Sequence, residues 1–530
     1  MLCSRALVVL SSFVLSSLVV ACGDSSSGPT SQASASESGA TDPSTGSTAN
    51  LPTSTSNGTD PTTDGTNGNS NSDGTTTSTS TSTTTTSTTT VDPSTTSTET
   101  TMGVDTTTTT GGFKFDLGQQ ADVDVVMPGK GSCRPSETYG AAGGFPKYTD
   151  PAFAPFLEKS IAIVTHTVHN PAPNDFALTI VDISGDAPPP NTNYLAPLYH
   201  HSSWTSANLG RIFGVTLDSD GNIYVAATTA YGANPTPAVI KRIDSVTGVI
   251  STFATLPNNG PAFGNLNYDC VSETIYVSNF EDGRIYQVDL NGQVVSTFHH
   301  ASKTVSMGLP NDPGEPNGAY APLGERPWAV QSNAGRLYYS LWVEHSNMPN
   351  PNRENEVWSV GYVDETGVID PSTAKLEFSL PTIGGGQGSS PVSDISFAQT
   401  GWMLVAQRTM IQDNVTSAHQ STTFEYDYQN GQWVFLGTTY VVGELLPYSA
   451  CGGVDHSFEE DGYVWMTGDA LDFYTPNVVY GLQGTPYGGG GIATSTIIDL
   501  DHEIVNQDKG IYGDVEIPIP GDATPVPPPM

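Results

Sequence analysis

Between residues 210 and 484 the chain repeats a short segment in which apolar and aromatic residues alternate with small or polar ones. Each copy begins at a polar turn and is rich in Val, Ile, Tyr and Trp, which is typical of half-buried strands. The five copies read DGNIYVAAT (220–228), SETIYVSNF (272–280), AGRLYYSLW (334–342), TGWMLVAQR (400–408) and DGYVWMTGD (461–469). Because side chains of a strand point alternately to its two faces, this pattern predicts short strands.

Two further predicted strands flank each copy. The preceding segments are GRIFGVTLD (210–218), FGNLNYD (263–269), RPWAVQS (326–332), VSDISFA (392–398) and GGVDHSFE (452–459). The following segments are AVIKRID (238–244), GRIYQVD (283–289), NEVWSVGYVD (355–364), TTFEYDY (422–428) and NVVYGLQ (477–483). The central strands recur every 52, 62, 66 and 61 residues, counted from Ile223 to Ile275, Leu337, Met403 and Val464. This spacing is typical of the blades of a β-propeller, in which the preceding segment is the innermost strand.

One more blade is predicted from segments at the two ends of this region. SIAIVTH (160–166) and FALTIVDIS (176–184) precede the repeats, and GIYGDVEIPI (510–519) follows them and can complete the first blade. We therefore expect an all-β fold, a six-bladed β-propeller, with seven blades or a tandem of β-sandwiches as alternatives. The propeller domain with its lead-in is predicted over 113–521, and 522–530 is a Pro-rich tail.

The first 21 residues have the pattern of a secretory signal peptide. Arg5 is followed by 16 uncharged residues, 6–21, a stretch shorter than the about 20 apolar residues of a membrane-spanning helix. The run Leu18-Val19-Val20-Ala21-Cys22 resembles the lipobox of bacterial lipoproteins, in which the cysteine carries a diacylglyceryl group. This resemblance implies lipidation of Cys22 and a folded domain anchored to a bacterial membrane outside the cytoplasm. The alternative is an ordinary signal peptide that ends near a cysteine.

Residues 22–112 are predicted to be the lipidated cysteine followed by a disordered linker. From residue 23 to residue 112 the chain consists mainly of Thr, Ser, Gly, Asp, Asn and Pro and contains no Lys or Arg. Such a segment has no apolar face to bury and cannot offset the entropy lost on ordering. A lipid at one end and a flexible linker beside it would form a tether.

The remainder of the chain is strongly acidic. Once Arg5 and the nine acidic residues of 23–112 are set aside, 16 basic and 45 acidic residues remain, a net charge of −29. Such a domain repels nucleic acid and suits cations or cationic partners. We therefore expect no nucleic-acid partner.

Two stretches resemble the repeats of NHL-type and gluconolactonase-type propellers: FGNLNYDCVSETIYVSNFEDGRIYQVDLNGQVVSTF (263–298) and GVTLDSDGNIYVAATTAYG (214–232). The resemblance implies a fold and by itself no activity, because propellers host binding, scaffolding and catalysis. Gluconolactonase-like enzymes hold a divalent cation over the central channel with Glu, Asn and Asp. The resemblance therefore implies Asn265, Asp394 and Asp455 as candidate ligands of a cation, for which Ca²⁺ suits the oxygen donors.

Other charged residues are predicted near the same channel. Arg211 and Arg326 are expected at its mouth, where they would bind a ligand or pair with Asp394 and Asp455. Two arginines beside a cation site are unfavourable, so an Arg–Asp network competes with the metal. His456 is the candidate acid–base residue, and the alternative is a polar histidine without a catalytic role.

Three cysteines lie beyond the predicted linker: Cys133, Cys270 and Cys451. An exported chain meets an oxidising compartment, so one disulfide is feasible and one thiol would be left over. We expect either buried free thiols or a bridge from Cys133 to Cys451, which would join the start of the domain to its last repeat.

Two functions follow as hypotheses. The first is a membrane-anchored lipoprotein whose propeller binds a protein, glycan or small molecule through its longest loops, 300–325 and 343–354. The second is a cation-dependent lactonase or esterase of the gluconolactonase type, with Asn265, Asp394 and Asp455 as ligands and a metal-bound water as nucleophile.

Overall fold

The computed structural model describes residues 144–518, apart from 169, 185–192, 235, 259, 312–319, 346–352, 381–387, 399–400, 444–449, 458–461, 473–477 and 501–508, and apart from the side chains of residues 193, 450 and 451. The predicted signal peptide, Cys22, the linker, Cys133 and the Pro-rich tail therefore lie outside the described residues. The boundaries predicted for these segments stay predictions.

Almost all regular structure in the described residues is β-strand. In chain order the first strands are β1 (Ile161–Val168), β2 (Leu178–Asp182), β3 (Asn193–Tyr194), β4 (Leu198–Tyr199), β5 (Ile212–Leu217), β6 (Ile223–Ala227), β7 (Val239–Ile243), β8 (Ile250–Thr255), β9 (Phe263–Asp269), β10 (Thr274–Asn279), β11 (Arg284–Asp289), β12 (Val294–His299), β13 (Thr304–Met307) and β14 (Arg326–Asn333). They continue with β15 (Arg336–Trp342), β16 (Asn355–Tyr362), β17 (Ile369–Leu380), β18 (Val392–Phe397), β19 (Met403–Gln407), β20 (Met410–Gln412), β21 (Val415–Thr416), β22 (Thr422–Gln429), β23 (Gln432–Val441), β24 (Ala450–His456), β25 (Tyr463–Asp472), β26 (Val479–Pro486), β27 (Thr496–Asp499) and β28 (Gly510–Glu516). Helical structure is limited to one turn of α-helix, α1 (Ser206–Leu209), and two 3-10 turns, Ala154–Phe156 and Ile492–Thr494.

The strands form six blades around a central axis. The sheets are β28-β1-β2-β4, β5-β6-β7-β8, β9 to β13, β14 to β17, β18-β19-β22-β23, and β24-β25-β26-β27-β3, and β20 with β21 forms a separate hairpin. The innermost strands contact one another in the cyclic order β28, β5, β9, β14, β18, β24 and back to β28. The prediction of a six-bladed β-propeller is thus confirmed, and each of the five segments predicted as inner strands overlaps one of these six strands.

The ring closes at two places between the first and last blades. β28, the last strand of the described chain, is the innermost strand of the first blade and pairs antiparallel with β1. In return β3, from the connection between β2 and β4, adds parallel to β27 at the outer edge of the sixth blade. The first and sixth blades thus each receive one strand from the opposite end of the described chain, and these two pairings close the ring.

Neighbouring blades are held together by apolar side chains packed between their faces. Between the third and fourth blades, for example, Tyr276 and Ile285 belong to one buried cluster with Val330 and Leu337. Complete burial of such a side chain contributes about 1.5–3 kcal/mol, so the alternation of apolar residues in the sequence stabilises the contacts between blades. Among the residues that the structure describes, no helix has the length and apolar character required to cross a membrane.

The two ends of the ring differ. At one end, here called the entry face, the innermost strands finish in short turns such as 218–222, 270–273 and 334–335. The chain enters there, since the Gly144 amide donates to the Asp218 carbonyl (2.6 Å) and the Lys147 amide to the Ser245 carbonyl (2.8 Å). β28 also finishes there.

At the other end, here called the loop face, long connections lead into or between the strands. They include 308–325, 343–354 and 408–421. The loop face therefore holds several long connections and neither end of the described chain.

Candidate binding site in the channel and on the loop face

Each innermost strand carries an irregularity in its pairing with the next strand, followed by an apolar residue. The residue just before that apolar residue occupies an equivalent position in each blade. In chain order these residues are Gly214, Asn265, Ala329, Asp394, Gly453 and Asp514. Polar and small residues thus alternate around the ring, and the three polar ones, Asn265, Asp394 and Asp514, are here called the polar layer.

The polar layer is a hydrogen-bonded unit in the buried channel. Asn265 Nδ2 donates to Asp394 Oδ1 (2.9 Å), and the Asp394 carboxyl contributes by repulsion to the raised pKa of Asp514. The same carboxyls accept from backbone amides of the next blade. The Val454 amide donates to Asp394 Oδ2 (2.8 Å), and the Val215 amide donates to Asp514 Oδ2 (3.1 Å). These contacts give partners to N–H groups at the inner edges of the sheets, where no further strand follows.

A second group of polar side chains lies two residues further along the innermost strands. These residues, here called the lower layer, are Gln331, Ser396, Asp455 and Glu516. Asp455 accepts hydrogen bonds from Ser396 Oγ (2.7 Å) and from the Ile517 amide (2.8 Å). Glu516 Oε1 is buried and has no hydrogen-bond partner among the described residues.

The two layers line a narrow cavity. It offers about 10 Å³ to the centre of a water molecule, which is room for roughly one water or one monatomic ion. The cavity is too small for a substrate of the size of a sugar lactone.

Burial changes the acid–base properties of the carboxyl groups that line the channel. It raises the pKa of Asp394 to about 6 and that of Asp455 to about 7. Burial also holds the pKa of Asp514 and of Glu516 well above the ordinary value, with repulsion from neighbouring carboxyls as a second cause. The carboxyls of the channel therefore favour the protonated form more than an exposed acid does.

Aromatic side chains close the channel on the loop-face side of the polar layer. Phe213 and Trp328 directly precede two of the compared positions, their rings are 5.3 Å apart, and both are fully buried. Trp342 and Phe280 pack against Trp328, with ring centroids at 5.8 and 4.9 Å. The polar layer is thus separated from the loop face by a layer of rings.

All three candidate metal ligands line the same cavity. Asn265 and Asp394 are in direct contact, and Asp455 lies in the lower layer. In the described part of the chain, no group of three or more His, Cys, Asp or Glu side chains is arranged so that it could hold a metal ion.

His456 is poorly suited to the acid–base role considered above. Its side chain is buried, both ring nitrogens lack partners within the described residues, and it does not line the cavity. Burial lowers the pKa of His456 to about 3, so at neutral pH its imidazole has no extra proton to donate.

Arg211 and Arg326 both lie at the loop-face ends of innermost strands. Arg326 Nη1 donates to Asp413 Oδ1 (2.8 Å), and its guanidinium lies 5.3 Å from the ring centres of Tyr320 and Trp342. Arg211 Nη1 donates to the Tyr231 carbonyl (2.6 Å). The ion-pair partner of Arg326 is therefore a loop residue. The hydrogen bonds of Asp394, Asp455 and Asp514 come from Asn265, Ser396 and backbone amides.

The buried Arg–Asp pair near the channel was not anticipated. Arg408 Nη2 bonds to Asp469 Oδ2 at 2.5 Å, with both side chains almost completely buried, and the Arg408 guanidinium lies 5.0 Å from the Tyr231 ring centre. Both residues end copies of the repeated segment, Arg408 in the fifth blade and Asp469 in the sixth, and the alignment of the copies did not reveal that these two ends meet.

The expected disulfide is wrong in one respect. Cys270 is disulfide-bonded and is not the thiol that a bridge between Cys133 and Cys451 would leave over. Its partner lies outside the described side chains. Cys270 follows the entry-face end of β9, whereas residue 451 lies near the loop-face end of β24, so these two positions are at opposite ends of the ring.

Comparison with known proteins shows similarity of fold only. No protein-family model matches the chain, and no curated protein matches it. A chain of a nidogen–laminin complex is 11% identical, with a TM-score of 0.39, over 68% of this chain and 99% of the other. A protein from Lactobacillus plantarum is 9% identical (TM-score 0.35; 68% and 99% covered). A calcium-binding protein, regucalcin, from Agrobacterium tumefaciens is 13% identical (TM-score 0.33; 63% and 84% covered).

Proposed function

We propose that this chain is a lipid-tethered binding module of a bacterial cell envelope. Cys22 carries the lipid, residues 23–112 form the tether, and the propeller binds a ligand through its loop face. The observation that carries the proposal is the separation of the two faces. The described residues begin and end at one face of the ring, and long connections such as 343–354 and 408–421 lie at the other.

The placement of charged groups supports binding at the loop face. Arg211 is half-buried and Arg326 is held between aromatic rings and Asp413, so their charges are positioned by a rigid scaffold. Binding residues are commonly carried by loops held in this way. The acidic character of the rest of the domain favours ligands that are neutral or cationic.

The channel offers little support for the alternative hydrolase. The cavity accommodates one water, aromatic rings separate it from the loop face, and the nearest histidine is a very weak base. A hydrolase needs a base or a nucleophile within reach of a substrate. We therefore favour a binding role.

Anchoring is tested by replacing the lipidation cysteine. Cys22→Ser should move the protein from the membrane fraction to the soluble fraction and abolish labelling by a fatty-acid analogue, because no thiol remains to be acylated. Cys3→Ser, in the predicted signal peptide, is the matched control and should leave both unchanged. Membrane retention of the Cys22→Ser protein would contradict the proposed anchor.

Binding is tested with the soluble Cys22→Ser protein on an array of neutral oligosaccharides, which an arginine can bind by hydrogen bonds. We expect at least one probe to bind, and Arg211→Ala to weaken it by about tenfold, or ~1.4 kcal/mol. Lys147→Ala is the matched control, because it removes one exposed positive charge from the entry face. Equal weakening by both variants, or lactone hydrolysis that a chelator abolishes, would contradict the proposal.

A further inference from the structure

We infer that the polar layer of the channel is a hydrogen-bonded closure of the ring and is not a cation site. The resemblance to gluconolactonase-type propellers implies a divalent cation held by Asn265 and nearby carboxylates. The hydrogen bonds of these side chains do not suit the binding of a divalent cation. The inference concerns the channel alone and is independent of the binding role of the loop face.

The orientation of Asn265 is the first observation. Its Oδ1 accepts a hydrogen bond from the Leu266 amide (2.8 Å), which leaves Nδ2 to donate to Asp394 Oδ1 (2.9 Å). Nδ2 also lies 3.5 Å from the Ser393 carbonyl. A hard cation is bound by the oxygen of an amide side chain, and here the nitrogen faces the carboxylate.

The number of acidic ligands is the second observation. Ca²⁺ is bound by six to eight oxygen atoms, several of them from carboxylates. In the part of the chain that the structure describes, no group of three or more His, Cys, Asp or Glu side chains is arranged so that it could hold a metal ion. Asp394 and Asp514 are therefore too few for such a site.

The third observation is that the carboxylate oxygens of Asp394 and Asp514 already accept hydrogen bonds. Asp394 Oδ1 also accepts from the Ile395 amide (2.8 Å), and Asp394 Oδ2 accepts from the Val454 amide (2.8 Å). Asp514 Oδ1 accepts from the Val515 amide (3.0 Å), and Oδ2 accepts from the Val215 amide (3.1 Å). Every oxygen of the two carboxyls therefore already has a backbone donor, and a cation would have to compete with it.

The small residues between the polar ones are the fourth observation. A Cβ added at Gly214 would lie 2.4 Å from Asn265 Oδ1, and one added at Gly453 would lie 2.2 Å from Asp514 Oδ1. Both distances are well inside van der Waals contact. The alternation of small and polar residues is therefore the packing arrangement that lets three polar side chains bridge blades across one channel.

Together these contacts involve five of the six innermost strands. Asn265 joins β9 to β18, Asp394 joins β18 to β24, and Asp514 joins β28 to β5. The fourth blade contributes the small residue Ala329 at this level. The polar layer thus fastens the closing strand β28 to blades that are distant from it in sequence.

Asn265→Asp distinguishes the two interpretations, because they predict opposite results. In a cation site the new carboxylate is an additional ligand, so Ca²⁺ should bind more tightly and stabilise the variant. In a hydrogen-bonded layer the change removes the donor to Asp394 and brings a third acid into contact with two others. We expect the thermal unfolding midpoint of Asn265→Asp to fall by several degrees, by the same amount in Ca²⁺ and in a chelator.

Asn291→Asp is the matched control, since it makes the same chemical change at an exposed turn of the same blade. It should leave the midpoint unchanged. Equilibrium dialysis of the native full chain against Ca²⁺ gives an answer even if Asn265→Asp fails to fold. We expect the native chain to bind no stoichiometric Ca²⁺ ion that is lost in Asp394→Asn. A native midpoint that rises in Ca²⁺, or rescue of Asn265→Asp by Ca²⁺, would overturn the inference.

Discussion

At the scale of single residues, the environment decides what a carboxyl group can do, and the residue type alone does not. Asp394 and Asp413 are both aspartates near the axis of the ring. Asp413 is exposed on the loop face and pairs with Arg326, whereas Asp394 is buried and accepts hydrogen bonds from Asn265 and from backbone amides. The sequence predicted that Asp394 faces the channel. It did not reveal the role of Asp514 in the polar layer, because that role depends on the small residues Gly214 and Gly453 of other blades.

The pKa of Asp455 leads to a prediction about pH. Burial raises this pKa from 3.8 to about 7. Below about pH 4 the group is protonated in both the folded and the unfolded chain, and its favourable contribution is complete. As the pH rises from about 4 to about 7 the unfolded chain loses its proton first, so the free energy of unfolding decreases.

Asp455→Asn isolates this effect, because it has no proton to lose while every other titrating group is retained. The free energy of unfolding of the native protein, relative to that of Asp455→Asn, should decrease by a few kcal/mol between pH 4 and pH 7. Denaturant titrations of both proteins across this range measure the difference. A difference that stays constant, or that increases with pH, would show that Asp455 does not hold its proton in the folded state.

At the scale of elements, the strands with a clear alternation of residues were predictable, and the strands defined by their partners were not. All six innermost strands contain an apolar residue flanked by polar or small ones, and the sequence indicated each of them. By contrast, β3 has two residues and exists because it pairs with β27, more than 300 residues away in the chain. The strands β20 and β21 of the separate hairpin and the fifth strand β13 are also short, with two to four residues each. A pattern needs several residues to be visible, so pairing over long distances escapes it.

The two faces of the ring illustrate the same limit for the candidate site. The sequence placed Arg211 and Arg326 at the starts of inner strands and the long connections at 300–325 and 343–354. Their location on one face follows from the common direction of the innermost strands. The layer of Phe213 and Trp328 between that face and the polar residues could not be predicted in the same way, since its members come from different blades and each also suits an ordinary blade core.

At the scale of the whole molecule, the propeller depends on its last strand. β28 supplies the inner edge of the first blade and also Asp514 and Glu516 of the channel. A chain that ends at Lys509 lacks this strand and leaves β1 as an open edge beside an incomplete channel. A chain that ends at Pro518 keeps the strand and loses only the residues after it.

We expect the chain ending at Pro518 to unfold at the same temperature as the full chain. The chain ending at Lys509 should lose its single cooperative transition and associate through its open edge, because an unpaired strand is a template for pairing. Calorimetry and size-exclusion chromatography of the two truncated proteins measure these outcomes.

A monomeric, cooperative chain without β28 would mean that five complete blades and one incomplete blade suffice, and that the polar layer is not required to close the ring. Cooperative unfolding at a lower temperature, still as a monomer, would instead limit the role of β28 to the stability of the first blade. Only loss of cooperativity would show that the six blades fold as one unit joined across the channel.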